Sequence, residues 1–284
     1  MFDFIQGNDE AAKKLAGSYG FDVVSKIGVG DGVFRLLKSE EEKREKENND
    51  GYVSKREMLL DELARRLKSD KRIMWYKRER ILTREKRVPA DYVTKTSPNR
   101  EVTLSDPQFP NQWYIRNDGQ TEGPEGFDSG ITEVWNMKYT GKGVRLSVLD
   151  DGMDHTHPDL VQNYCSKCSK DLNGHDNDPF PNDSDPYNAH GTKCSGTIAA
   201  AANNSLCGVG IAYNSEIGAI RMLDGKATDG LEADALSFHR DHIDIYSCSW
   251  GPKDNGKTFG RPGRLGRIAL DQGAKFGRNG NVVS

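Results

Sequence analysis

The chain has 284 residues, of which 35% are hydrophobic and 29% charged, with a formal net charge of -3. That length suits one large domain and one small one, the composition is too polar for a membrane-spanning bundle, and no apolar run approaches a transmembrane helix. Charge is uneven: residues 1–87 carry 21 Lys and Arg against 17 Asp and Glu, and residues 88–284 carry 19 against 26, so a basic segment precedes an acidic body, which argues against nucleic acid as a partner.

The start, Met1 to Gly7, has neither the basic residues nor the apolar stretch of a signal peptide. Residues 10–38 then alternate a helical pattern at Ala11 to Ala16 with strand-like runs at Phe21–Val24 and Val33–Leu37, the pattern of a small α+β unit. Residues 40–50 are almost all charge and read as a solvated loop, a helical run follows from Glu57 to Leu67, and basic clusters stand at Lys71-Arg72, Lys77-Arg78 and Arg84 to Arg87. After Pro89 a linker leads to Pro107-Gln108-Phe109-Pro110. From Gly141 onward strands alternate with helices: strands at Val144–Leu149, Ile217–Arg221 and Ile243–Cys248, and helices after His190, near Thr228–Phe238 and over Arg264–Phe276. This alternation predicts a parallel sheet with crossover helices and active residues at the carboxyl ends of its strands.

Asp150 closes the first of those strands and His190-Gly191-Thr192 opens a helix. Alone, an Asp-Asp-Gly after a strand is an ordinary turn and a single histidine is ordinary structure. Together, Asp then His on neighbouring strand ends are two members of a Ser-His-Asp relay, in which the acid orients the base and the base takes the serine proton. Five cysteines are present, and Cys165-Ser166-Lys167-Cys168 has redox or zinc spacing. Without a second pair the zinc signal is weak, and two outcomes are open for this pair, a mutual disulfide or two thiols.

The chain resembles the subtilisin-like proprotein convertases of the kexin and furin kind. The resemblance rests on Asp106 to Tyr114, Tyr139 to Val144, Leu149-Asp150-Asp151-Gly152, His157-Pro158-Asp159-Leu160, His190-Gly191-Thr192, Ala202-Asn203-Asn204, Cys207 to Gly210, Arg221 to Gly225, Ser249-Trp250-Gly251-Pro252 and Gly256-Lys257-Thr258. It implies an α/β subtilisin-like parallel sheet with crossover helices, preceded by a small α+β propeptide at residues 1–87. Residues 88–284 would be the N-terminal part of the peptidase domain, truncated before the nucleophilic serine and the oxyanion-hole asparagine, both expected beyond Ser284. The implied function is a calcium-dependent serine endopeptidase of the secretory pathway (Golgi, secretory vesicles or extracellular) that cleaves precursor proteins after paired basic residues. The chain alone would be inactive, or serve as a catalytically dead ligand or inhibitor of an intact convertase.

By the same resemblance Asp150 is the relay acid and His190 the general base. Asp151, Asp224, Asp229 and Glu232 line the substrate cleft, Glu232 being associated with an upstream arginine, and Ser249, Trp250, Gly251 and Pro252 pair with substrate backbone. Calcium would be held in three places: by Asp106, Asp159, Asn204 and the carbonyls of Ala201, Leu206 and Gly208; by Asp171, Asp176 and Asp178; and by Asp254. The propeptide would act as intramolecular chaperone and inhibitor, cut after Arg87 and later after Arg56. Cys194 matches a thiol beside the histidine, whereas Cys165 and Cys168 fall outside the family pattern. Lys226, Lys253, Gly260 and Tyr187 stand where furin-like relatives carry acids, which implies weaker dependence on the upstream arginine.

Overall fold

The computed structural model describes residues 2–5, 9–28, 33–38, 62–73, 75–78, 82–86, 103–121, 123–182, 184–185 and 188–280. The expectations for Arg56, Arg87 and Tyr187 lie outside the described residues. Two compact units emerge: residues 1–82 with 228–238 and 262–273, and residues 83–227 with 239–261 and 274–284.

In the first unit β1 (Phe2–Ile5), α1 (Asp9–Ser18), β2 (Phe21–Lys26), β3 (Val33–Lys38), α2 (62–69) and β4 (Tyr76–Arg78) form a βαββαβ unit. Its antiparallel sheet has the order β2-β3-β1-β4, the split βαβ arrangement that brings first and last strands together. Leu15 and Ala16 of α1 pack with Phe21, Leu67 and Ile73 because α1 and α2 each carry an apolar stripe. A second cluster joins Ile27 and Val33 to Ala233 of α5 (Asp229–Ser237) and to Leu265 and Ala269 of α6 (Arg264–Phe276). Compactness therefore groups α5 and α6 as far as Gly273 with the first 82 residues.

Asp229 links these pieces. Its carboxylate accepts hydrogen bonds from Leu265 N at 3.2 Å and Gly266 N at 2.9 Å, capping α6, and pairs with Lys77 Nζ at 3.1 Å. Burial pushes this carboxyl up, but the bonds from Gly266, Lys77 and Leu265 outweigh it and hold it below the ordinary aspartate value. A depressed folded value stabilises above the unfolded pKa and is lost as pH falls through the folded one. Asp229→Ala is thus expected to cost about 1–2 kcal/mol, the worth of a cap, as read by chemical denaturation at neutral pH. That difference should close on acidification below about pH 4, the unfolded aspartate value.

The second unit is built on a parallel sheet of order β7-β8-β6-β9, comprising β6 (Arg145–Asp150), β7 (Lys170–Asp171), β8 (Glu216–Arg221) and β9 (Ile245–Ser247). Strand β6 is central and buried from Leu146 to Asp150, as expected of a strand covered on both faces. Leu146 and Val148 pack with Ile217, Ala219 and Ala199 of α4 (His190–Ala199). Phe109, Ile115 and Val209 gather around Trp135 of α3 (Ile131–Asn136), whose indole N–H reaches Ile211 O at 2.8 Å. A two-stranded ribbon pairs β5 (Glu85–Lys86) with β10 (Trp250–Gly251). Among the described residues no helix is long and apolar enough to cross a membrane.

Candidate active site

Asp150 ends β6, where its backbone O accepts from Met222 N at 2.8 Å and Leu223 N at 3.0 Å. Its side chain is 0% exposed, and both carboxylate oxygens lie 2.9 Å from His190 Nδ1. A carboxylate can only accept, so Nδ1 carries the proton and Nε2 of the neutral ring keeps its lone pair, the tautomer of a general base. Burial raises the Asp150 carboxyl above the ordinary range, while the hydrogen bonds from His190 and Asp151 N oppose the rise. Cys194, one turn further along α4, places Sγ 3.8 Å from each ring nitrogen.

The base is held by the first turn of α4. Ala189 at the helix start offers no side-chain cap. Asp151 supplies one from the adjoining strand end: its carboxylate accepts from His190 N at 3.2 Å and Gly191 N at 2.7 Å. Such spacing demands glycine at 191, since a Cβ there would overlap Gly152 O and stand 2.9 Å from Asp150 Cβ. Asp151 was expected to meet a substrate side chain. Here it is fully buried and its two oxygens serve the helix that carries the base, a role that the Asp150-Asp151 doublet signals only once the helix start is known to face it.

The other expected substrate residues divide. Trp250 donates from Nε1 to Leu149 O at 2.7 Å, one residue before Asp150, so β10 is tied to the dyad's strand. Its antiparallel partner is already present: Lys86 opposes Trp250, Glu85 opposes Gly251, and the Arg84 guanidinium lies over the Trp250 ring at 5.5 Å. Ser249 precedes this strand and Pro252 follows it, with Gly260 so close to the proline that a Cβ would overlap its ring. Asp224 departs from expectation, because Arg221 holds its Oδ2 at 2.8 Å from Nε and 2.6 Å from Nη2. Its other oxygen accepts from Asn173 Nδ2, so both oxygens of Asp224 are engaged by neighbouring side chains. In the other unit Glu232 is buried in the first turn of α5 and Asp229 is occupied as described above.

Of the expected calcium ligands, Asp106 and Asp159 are 1% and 3% exposed. Asn204 Nδ2 bonds Asp159 Oδ1 at 2.7 Å, and Asp106 Oδ2 accepts from Asn203 N at 2.7 Å. Asn203, Ser205 and Cys207 adopt positive φ, so this loop, which also holds Leu206 and Gly208, is wound tightly over the two acids. Ala201 N bonds Asp159 O at 2.9 Å. Two buried carboxylates under a single tight loop, with Asp106 close enough to raise Asp159, fit a calcium ion, which would neutralise them and fix the loop. The second set is differently disposed: Asp171 pairs with Arg221 at 2.7 Å, Asp178 with His155 at 3.0 Å, and Asp176 bridges Asp171 through the backbone. Arg221 is thus one cation shared between the carboxylates of Asp171 and Asp224. Asp254 lies in an exposed turn.

Residues 141–283 match the subtilase family and residues 4–87 the peptidase S8 pro-domain. The chain is 45% identical over 272 residues to the PC3-like endoprotease variant B of Hydra vulgaris, covering 96% of this chain and 35% of that one. It is 38% identical over 282 residues to neuroendocrine convertase 2 of Homo sapiens, covering 99% and 42%, so it spans less than half of either relative. Fervidolysin from Fervidobacterium pennivorans superposes with a TM-score of 0.62 over 96% of this chain and 38% of its own, at 18% identity, which shows the fold. The parallel sheet, the acid and base at its carboxyl edge and these matches converge: the chain belongs to the subtilase family, with an S8 pro-domain ahead of the peptidase segment, and its likeness within that family is to the convertases.

Proposed function

We propose that these residues belong to a calcium-dependent serine endopeptidase of the secretory pathway that cleaves precursor proteins after paired basic residues. The observation that carries the reading is the seating of the basic tail of the pro-domain match, Arg84 to Lys86, as an added strand on Trp250 and Gly251, which are tied to the strand of Asp150. Backbone pairing of this kind fixes a peptide's register, and side chains on the added strand set its specificity. In the reaction His190 Nε2 takes the proton of a serine hydroxyl as it attacks the peptide carbonyl, and later returns it to the departing amine. Asp150 keeps the ring oriented and stabilises the cation formed in between. The serine would come from a Gly-Thr-Ser segment, which the 284 residues do not contain, so this chain alone is expected not to hydrolyse a peptide. The pro-domain would act as chaperone and inhibitor, leaving its tail in the strand position that substrate later takes. Calcium would be bound by Asp106, Asp159 and Asn204 with the carbonyls of Ala201, Leu206 and Gly208, as a structural ion that neutralises the buried acids.

The test is a fluorogenic peptide panel on the complete gene product. Replacing the final arginine of a Lys-Arg site should lower kcat/KM by at least about 100-fold, the discrimination expected of a site built to pair one polar side chain when that side chain is missing. Losing an arginine two residues further upstream should cost less, because Asp224 is held by Arg221 and Gly260 carries no acid. Equal cleavage of peptides lacking basic residues would contradict the proposal.

A further inference from the structure

A second group of reactive side chains lies away from the dyad, around Cys165-Ser166-Lys167-Cys168. Cys165 and Cys168 are joined in a disulfide with a sequence separation of 3. His242 Nε2 lies 3.9 Å from Cys165 Sγ, and Arg145 Nη1 lies 2.8 Å from His242 Nδ1. A guanidinium can only donate, so Nδ1 accepts, and the proton of the neutral ring sits on Nε2, directed at sulfur. Burial first, then the neighbouring Arg145, Lys167 and His239, lower the His242 pKa against an opposing effect of Glu216, which favours the neutral ring. Asp244 pairs with Arg145 at 3.5 Å and steadies the arrangement.

We propose that Cys165 and Cys168 form a reversible thiol–disulfide couple, in which Cys165 exchanges with low-molecular-weight thiols and disulfides while Arg145 and His242 act as positioning residues for its sulfur. In reduction, a thiolate of the small thiol attacks Cys165 Sγ, the Cys165–Cys168 bond breaks, and the electron pair leaves on Cys168, which takes a proton. A second small thiolate attacks the mixed disulfide at the small-thiol sulfur and releases Cys165 as a thiolate, where the Nε2–H of His242 receives it. The net change is oxidation of two small thiols to one small disulfide and reduction of one protein disulfide to two thiols. The reverse begins with Cys165 as the attacking thiolate. Accessibility agrees with this order, since Cys165 is 8% exposed and Cys168 fully buried.

The bond is poorly suited to be a staple. It closes a very short loop, which constrains the unfolded chain least. The turn is also held without it: Cys165 N bonds Ile217 O at 2.8 Å, Ser147 Oγ bonds Cys168 O at 2.8 Å, and Ser169 Oγ bonds Cys165 O at 3.0 Å. Gly218 permits the contact, since a Cβ there would stand 2.6 Å from Cys168 O. These bonds attach the pair to β6 and β8, the strands that carry Asp150 and Arg221.

The experiment equilibrates the 284-residue chain in reduced and oxidised glutathione, quenches with a maleimide and counts labelled thiols by mass spectrometry beside circular dichroism. Two thiols at Cys165 and Cys168 should appear together as reduced glutathione comes to dominate, with the circular dichroism unchanged. Cys168→Ser should accumulate a glutathione adduct on Cys165, and Cys165→Ser should accumulate little on Cys168. His242→Gln should slow alkylation of reduced Cys165 several-fold at neutral pH and move the midpoint of its pH–rate profile upward, leaving the exposed Cys207 unaffected. The proposal is overturned if the disulfide opens only as the fold is lost, if the adduct favours Cys168, or if His242→Gln leaves the Cys165 profile in place.

Discussion

Asp150→Asn is expected to lower kcat of the active enzyme by about 10^4-fold while leaving KM nearly unchanged, the loss seen when a relay acid is replaced by its amide. Asp150 has no exposed surface and both its oxygens face His190 Nδ1. An amide can present its N–H to that nitrogen and so favour the tautomer with the proton on Nε2, where it blocks proton abstraction. Substrate contacts, by contrast, are far less affected by a group that substrate does not touch. Steady-state kinetics of both proteins on one dibasic peptide reads the difference, and a raised KM with intact kcat would place Asp150 in binding rather than catalysis.

Calcium should have the second large effect. Restoring the ion to chelated protein should raise the thermal midpoint by roughly 5–10 °C at about 100 times the dissociation constant, equivalent to about 2.7 kcal/mol. Magnesium should not reproduce it, because a smaller ion sheds water reluctantly and demands stricter geometry. In the chelated protein burial raises the Asp159 carboxyl, opposed by Asn204 and His157 and reinforced by Asp106. A raised acid stabilises the fold below its unfolded pKa and that contribution is lost as pH rises through the folded value. Chelated protein should therefore lose stability from about pH 4 upward, relative to the calcium-loaded form. Asp106→Ala should abolish the calcium shift, and scanning calorimetry with and without the ion checks all three outcomes.

Much of this was legible in the sequence where a local pattern decides the outcome. Val144 to Leu149, short and rich in branched apolar residues, reads as a strand, and observed β6 ends on Asp150. The helices at 190–199, 229–237 and 264–276 fall where the pattern placed them. Strands β4 and β5 were not legible: Tyr76–Arg78 and Glu85–Lys86 are short and polar, and they are strands only because β1 and β10 offer them edges. The acids show the same limit. The resemblance assigns Asp171 to calcium and Asp224 to substrate, and the structure places both against Arg221, which is distant from Asp171 in sequence. Composition reveals a carboxylate, whereas its partner is a property of the fold. The Cys165–Cys168 pair, open between disulfide and thiols from spacing alone, is closed in the structure.

Active-site alkylation tests the central claim most directly. A Lys-Arg peptidyl chloromethyl ketone, incubated with the complete gene product after release of its pro-domain, should alkylate Nε2 of one histidine, and peptide mapping should locate the label on His190. The matching Ala-Ala reagent should leave it unlabelled, and Asp150→Asn should slow the labelling. Label on Cys194 or on another histidine, or equal labelling by both reagents, would contradict the assignment of His190 as the base beside a site for basic peptides.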